Sequence, residues 1–173
     1  IFELGIPILG ICYGMQTLAE QFGGQVTSSK IKEFGHAQIT IENASSLFNG
    51  FDIGSNIDVW MSHGDHVSSL PDAFNLIAST ESAPIAAMEH AEKQIYALQF
   101  HPEVTHTKEG SIVIKNFVIK ICNATPGWKM DGLIAQKIDK IKKQVGDQKV
   151  LLGLSGGVDS SVTAMLLDQA IGQ

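Results

Sequence analysis

Apolar residues along the chain fall into short runs and alternating stretches before they fall into helical stripes. Ile6-Pro7-Ile8-Leu9-Gly10-Ile11 is a compact apolar run, as expected of a strand buried on both faces. Met15, Leu18, Ala19 and Phe22 then recur at helical spacing, and Gly23-Gly24 stops that pattern. The unit predicted is strand, tight turn at Cys12-Tyr13-Gly14, helix. Ile1 to Gly5 reads as the tail of a helix. Residues 25–100 read mostly as strands: 37–41, 57–61, 77–79, 85–88 and 95–100, separated by turn signals such as Asn49-Gly50 and Leu70-Pro71-Asp72. Ser111 to Cys122 predicts a helix. After Asn123-Ala124-Thr125-Pro126-Gly127, a boundary signal, Asp131 is a candidate N-cap for a helix with Leu133, Ile134, Ile138, Ile141 and Val145 on one face and lysines on the other. Val150 to Leu154 predicts another buried strand, Ser155 to Ser160 a glycine-rich loop, and Ser161 to Ala170 a helix. A single strand–helix unit cannot bury its own apolar faces, so the second region is expected to be part of something larger.

Composition changes this picture little. The 173 residues are 44% hydrophobic and 17% charged, within the ordinary globular range. A net charge of −6 provides no basic field for nucleic acid or an anionic membrane. No apolar run reaches the roughly 18 residues that span a bilayer, and no basic leader precedes an apolar segment. Cys12 and Cys122 are too few for a disulfide scaffold, so both are expected reduced and the protein cytoplasmic.

Two motifs carry chemistry. Gly10-Ile11-Cys12-Tyr13-Gly14 has the form of a nucleophile elbow on a strand-to-helix turn. Such a turn projects the sulfur from the sheet edge, and the following helix directs its positive end there, favouring thiolate. The Tyr13 and Gly14 amides are placed to stabilise an oxyanion. Among six histidines, His101 stands out in Gln99-Phe100-His101-Pro102-Glu103. Residues i and i+2 of an extended segment share a side, and Pro102 biases His101 towards extended geometry. Cys12, His101 and Glu103 thus form a nucleophile, a base and an orienting carboxylate. No Cys or His pair has zinc spacing, so no metal is expected there. His63 and His66 read as a surface loop pair.

Cys12-Tyr13-Gly14-Met15-Gln16 together with His101-Pro102-Glu103 resembles the class I (triad) glutamine amidotransferases. The resemblance implies attack of the cysteine on the glutamine amide and a glutamyl thioester. It implies that Gln16, and Ser62-His63-Gly64 through backbone contacts, line the glutamine pocket. It also implies a flavodoxin-like open sheet with additional strands. The family's first strands and glycine-rich oxyanion loop are expected upstream of Ile1.

The second motif, Ser155-Gly156-Gly157-Val158-Asp159-Ser160-Ser161, joins an expected strand to a helix. Small residues let backbone N–H groups converge on a phosphate at a helix N-terminus, and the Walker A lysine is lacking. It resembles the PP-loop of the ATP pyrophosphatases, an adenine-nucleotide α-hydrolase-like fold. That implies ATP as substrate, with Mg2+ on its pyrophosphate. The resemblance thus divides the chain into an amidotransferase domain at 1–123, a linker at 124–130 and the start of a PP-loop domain at 131–173. The combination resembles glutamine-dependent ligases that aminate a purine nucleotide. It implies glutamine, ATP and XMP as ligands and a homodimer built through a region beyond Gln173. A ligase with another acceptor, or a non-catalytic binding module, are the other readings.

Overall fold

The computed structural model describes residues 1–127 and 132–172, with backbone only at 29–31. It divides into two compact units, Ile1–Thr125 and Pro126–Gln173. The first is a mixed α/β unit. After a 3-10 turn at Phe2–Leu4 come β1 (Ile8–Ile11), α1 (Tyr13–Gln21), β2 (Gln25–Ile41), β3 (Asn56–Ser69), β4 (Asn75–Ser79), β5 (Ala87–His90), β6 (Ile95–Leu98) and α2 (Gly110–Lys115). A π turn at Asn116–Ile121 continues α2, so the single predicted helix at 111–122 forms as two pieces.

The six strands make one open sheet in the order β1-β6-β5-β4-β2-β3. β1 runs parallel to β6, with Ile11 opposite Leu98, and the remaining pairs are antiparallel. Strand alternation sorts the side chains into two cores. Tyr96 and Leu98 enter one cluster with Ile39, Val59, Phe48 and Val113. Their neighbours Ile95 and Ala97 enter the other with Met15, Leu18, Val67 and Phe74. Both faces are therefore covered, which is why β6 reads as an uninterrupted apolar run and β5 is buried along its length, Glu89 and His90 included.

β2 and β3 are much longer than the alternation at 37–41 and 57–61 indicated. They pair from Thr40↔Asn56 to Gln25↔Ser69, interrupted by a wide irregularity between Ser28 and Glu33. Outside 37–41 and 57–61 these strands carry mostly polar residues paired through the backbone ladder, which hydropathy cannot report. A consequence is that Ser62, His63 and Gly64 lie on a strand.

In the second unit, α3 (Leu133–Val145) and α4 (Val158–Ile171) pack on each other. Leu133, Ile134, Val162, Met165 and Leu166 line an apolar groove of about 260 Å³ between them. Asp131, the expected N-cap, lies outside the described residues. The expected strand 150–154 is irregular, and Leu151 is 99% exposed. A strand is held by a neighbour's hydrogen bonds, and the described residues of this unit contain no other strand. α4 starts earlier than expected, taking Val158 to Ser161 into its first turn.

Candidate active site

β1 ends at Ile11 and α1 begins at Tyr13, so Cys12 makes the whole turn, with φ 52° and ψ −107°. Positive φ in a residue with a Cβ is strained, and here the surroundings enforce it. The Cys12 amide donates to Leu98 O (2.7 Å), while Cys12 O accepts the first helical bonds from Met15 (3.0 Å) and Gln16 (3.3 Å). Gly10 lets the two arms close: a Cβ there would sit 2.5 Å from Leu18 Cδ1 and 2.9 Å from the Gly14 carbonyl carbon.

The sulfur meets two protein groups. Its S–H donates to Ser62 O (3.5 Å), and Gln99 Nε2 donates to it (3.8 Å). Burial pushes the thiol above its ordinary value; the Tyr13 amide pulls it down, the Glu103 carboxylate pushes it up and Gln99 pulls it down. The sequence pattern predicts a favoured thiolate. The net shift is the reverse, because desolvation disfavours the anion more than the local donors favour it.

The parallel pairing of β1 and β6 brings His101 and Glu103 to the same edge of the sheet as Cys12. His101 Nδ1 and Glu103 Oε1 are 2.6 Å apart, which fixes the ring's orientation. Among the described residues the other ring nitrogen makes no hydrogen bond, and the imidazole does not bond to the sulfur. Catalytic contacts of this kind are commonly loose before substrate arrives. The backbone of His101 is clamped to β3. Its N–H donates to Trp60 O (3.0 Å), and the Thr107 hydroxyl donates to His101 O (2.6 Å) while accepting from Trp60 N–H (3.0 Å). Gly110 packs against Pro102 so closely that a Cβ would lie 2.0 Å from Pro102 O.

His63 corrects the expectation of a surface loop. It is 5% exposed on β3, opposite Glu33, with Nε2 2.9 Å from Glu33 Oε2. Ser82 Oγ donates to the other Glu33 oxygen (2.5 Å). The Glu33 carboxylate thus lies between Ser82 and the His63 ring, next in sequence to the Ser62 whose carbonyl meets the sulfur. Gln16 is buried, and its Nε2 donates to Asp65 O (2.7 Å) and Gln99 Oε1 (3.3 Å). Sequence reading missed Gln99, Thr107, Glu33 and Ser82. Gln99 and Thr107 do flank His101-Pro102-Glu103 in sequence, and that adjacency was the available signal. Tyr13, next to Cys12, is 78% exposed.

In the second unit Ser155, Gly156 and Gly157 form the turn before α4. Gly156 has φ 82°, which suits glycine, and Gly157 is the N-cap. Ser155 Oγ and Ser160 Oγ are 3.1 Å apart, and Ser160 Oγ donates to Gly157 O (3.0 Å). Val158, Asp159, Ser160 and Ser161 form the helix's first turn, leaving its N–H groups at the loop.

An elbow cysteine and a His-Glu pair lie at one sheet edge, an arrangement chemically suited to acyl transfer. Residues 1–121 match the family of class-I glutamine amidotransferases, and the chain belongs to it. Residues 133–173 match the family model for NAD synthase, a PP-loop domain. More particularly, the chain is 56% identical over 173 residues to a glutamine-hydrolyzing GMP synthase of Neisseria meningitidis serogroup C, covering 99% of this chain and 33% of that one. It is 53% identical over 178 residues to one from Teredinibacter turnerae, covering 99% and 34%. The chain thus spans about a third of the length of these curated relatives. Among solved structures, a GMP synthase component from Thermoplasma acidophilum superposes at TM-score 0.64 with 42% identity, over 68% of this chain and 57% of that one. A glutamine amidotransferase of Thermotoga maritima shares the fold at TM-score 0.56 and 22% identity, over 100% of this chain and 66% of that one.

Proposed function

We propose that the chain carries the glutaminase site and the ATP-binding loop of a glutamine-hydrolysing GMP synthase. The carrying observation is the elbow cysteine sharing a sheet edge with the His101–Glu103 pair, in a chain more than half identical to GMP synthases along nearly its whole length. Residues 1–123 are assigned to the amidotransferase domain, 124–130 to a linker and 131–173 to the start of the ATP pyrophosphatase domain.

In the reaction, Cys12 gives its proton to His101 and the sulfur attacks the glutamine carboxamide carbon. Charge develops on the carboxamide oxygen beside the Tyr13 and Gly14 amides, where a donor contributes most. The tetrahedral adduct collapses as His101 returns the proton to the leaving nitrogen. Ammonia departs and a glutamyl thioester remains. Water, deprotonated by His101, then releases glutamate. Glu103 keeps the ring aimed and balances its charge. Gln16, Ser62, His63 and Gly64 border the glutamine side.

Ser155 to Ser161 bind the ATP pyrophosphate, with Mg2+ arriving as part of that substrate. ATP adenylates the 2-position oxygen of XMP, ammonia displaces AMP, and GMP and pyrophosphate leave. The protein works in the cytoplasm on small molecules, as a homodimer.

Cys12→Ala in the full-length protein tests this reading. Glutamine-driven GMP formation should fall at least a thousandfold, while formation driven by added ammonium should stay within about threefold of the unmodified protein, because only the nucleophilic step is lost. Glutaminase activity surviving the change would remove Cys12 from the mechanism.

A further inference from the structure

The two contacts on the Cys12 sulfur work in opposite protonation states. The Ser62 carbonyl accepts the S–H hydrogen, so that bond disappears when the thiol ionises. The Gln99 Nε2–H donates to the sulfur, so that bond strengthens on ionisation. A carboxamide presents an oxygen at one end and a nitrogen at the other, and its orientation is read from its partners.

Here the partners fix it. The Asp65 carbonyl can only accept, so the end of Gln16 facing it is Nε2 (2.7 Å). The same nitrogen can only donate, so the end of Gln99 facing it is Oε1 (3.3 Å). The remaining end of Gln99, an NH2, is left for the sulfur. Donation therefore runs outward from Gln16 Nε2, one way to the Asp65 carbonyl of β3 and the other way through the Gln99 carboxamide to the sulfur. The four members come from the elbow, the end of β6, α1 and β3. Gln99 is 0% exposed, and burying a carboxamide costs free energy unless both ends are bonded, as they are here.

We propose that Gln99 is a hydrogen-bond donor to the Cys12 thiolate, aimed by Gln16, that holds the charged sulfur in place until it attacks the carboxamide. This rests on Cys12 being the nucleophile. Gln16 is then a positioning residue, its amide nitrogen turned to Gln99 and β3. Other charged or titratable groups bear on the sulfur. Glu103, on the segment after β6, opposes its ionisation, and a protonated His101 on that segment favours it. On β3, His63 is committed to Glu33, and Asp65 contributes its backbone carbonyl to the donor chain. On α1, the Tyr13 phenol is exposed.

The test measures iodoacetamide alkylation of Cys12 against pH in the full-length protein, resolved to that residue by mass spectrometry, beside steady-state glutaminase kinetics. In Gln99→Met the alkylation midpoint should rise by about one pH unit, the weight of one hydrogen bond to a charged group. The glutaminase kcat should fall about tenfold with KM within about twofold. Gln99→Glu keeps the shape and puts a carboxylate by the sulfur, so its midpoint should rise further. Gln16→Met, which leaves Gln99 in place but unaimed, should move the midpoint the same way by less, and it serves if the Gln99 variants do not fold. A midpoint unchanged in folded Gln99→Met or Gln99→Glu, or in Gln16→Met where neither folds, overturns the proposal. If Cys12→Ala abolishes glutaminase activity while those midpoints stay put, only this inference falls.

Discussion

Thr107 is a single side chain that ties the backbone of His101 to β3. Its hydroxyl supplies the second bond between Trp60 and His101, whose backbones are otherwise joined once. Replacing it with valine keeps the shape and leaves Trp60 N–H without its acceptor, a loss of about 1–3 kcal/mol. The effect should fall on the placement of the imidazole. We expect Thr107→Val to lower the glutaminase kcat about tenfold with little change in KM, and Thr107→Ser to restore it. A valine variant with the parent kcat in the full-length protein would show that His101 needs no such clamp. At this scale the sequence disclosed Cys12, His101 and Glu103 from their own short motifs. It hid Glu33 and Ser82, because their roles come from a carboxylate that a histidine and a serine approach from other strands and loops.

Among the elements, the β1–α1 elbow is the one whose local sequence and geometry agree. Gly10 and Gly14 look equivalent in the motif, yet their surroundings differ. A methyl at position 10 would strike Leu18 and the Gly14 carbonyl, while one at position 14 would meet nothing within 4 Å. Gly10→Ala should therefore push α1 from β1 and destabilise the fold by about 1–3 kcal/mol, with glutaminase activity falling alongside. Gly14→Ala should leave the thermal denaturation midpoint unchanged or slightly higher, since alanine favours helix over glycine. Calorimetry of the two variants decides it, and equal melting losses would show that the elbow is not packed as described. The long β2–β3 pair is the counter-example. Apolar alternation marked only the stretches over the core, and the polar extension that carries Ser62 to Gly64 forms because each strand offers the other a hydrogen-bond ladder.

For the whole molecule, two units joined near Pro126-Gly127 impose a requirement on any ammonia passed between them. Ammonia released into bulk water at neutral pH becomes ammonium, which is not nucleophilic. A flexible insert at Pro126-Gly127 in the full-length protein should leave glutamine hydrolysis and ammonium-driven amination near normal while GMP formed per glutamine consumed falls severalfold. The ratio of glutamate to GMP measures it, and an unchanged ratio would mean that this segment does not set the coupling.

The α/β class, the elbow, the His-Pro-Glu segment and the glycine-rich turn before α4 were all legible from residues adjacent in the chain. Each rests on local φ/ψ preference and on a motif within about five residues, which tertiary context does not need to supply. The expected strand at 150–154 failed for the complementary reason: apolar residues mark a wish for burial, and a strand also needs a neighbour. The same limit governed the environment of the sulfur. Gln99 is 87 residues from Cys12 and 83 from Gln16, and Gln16 is 49 from Asp65. Periodicity tells which face a residue takes but not which distant residue it meets there. Cys12 could thus be named from its turn, whereas the partners of its sulfur were set by how β1, β6, α1 and β3 pack.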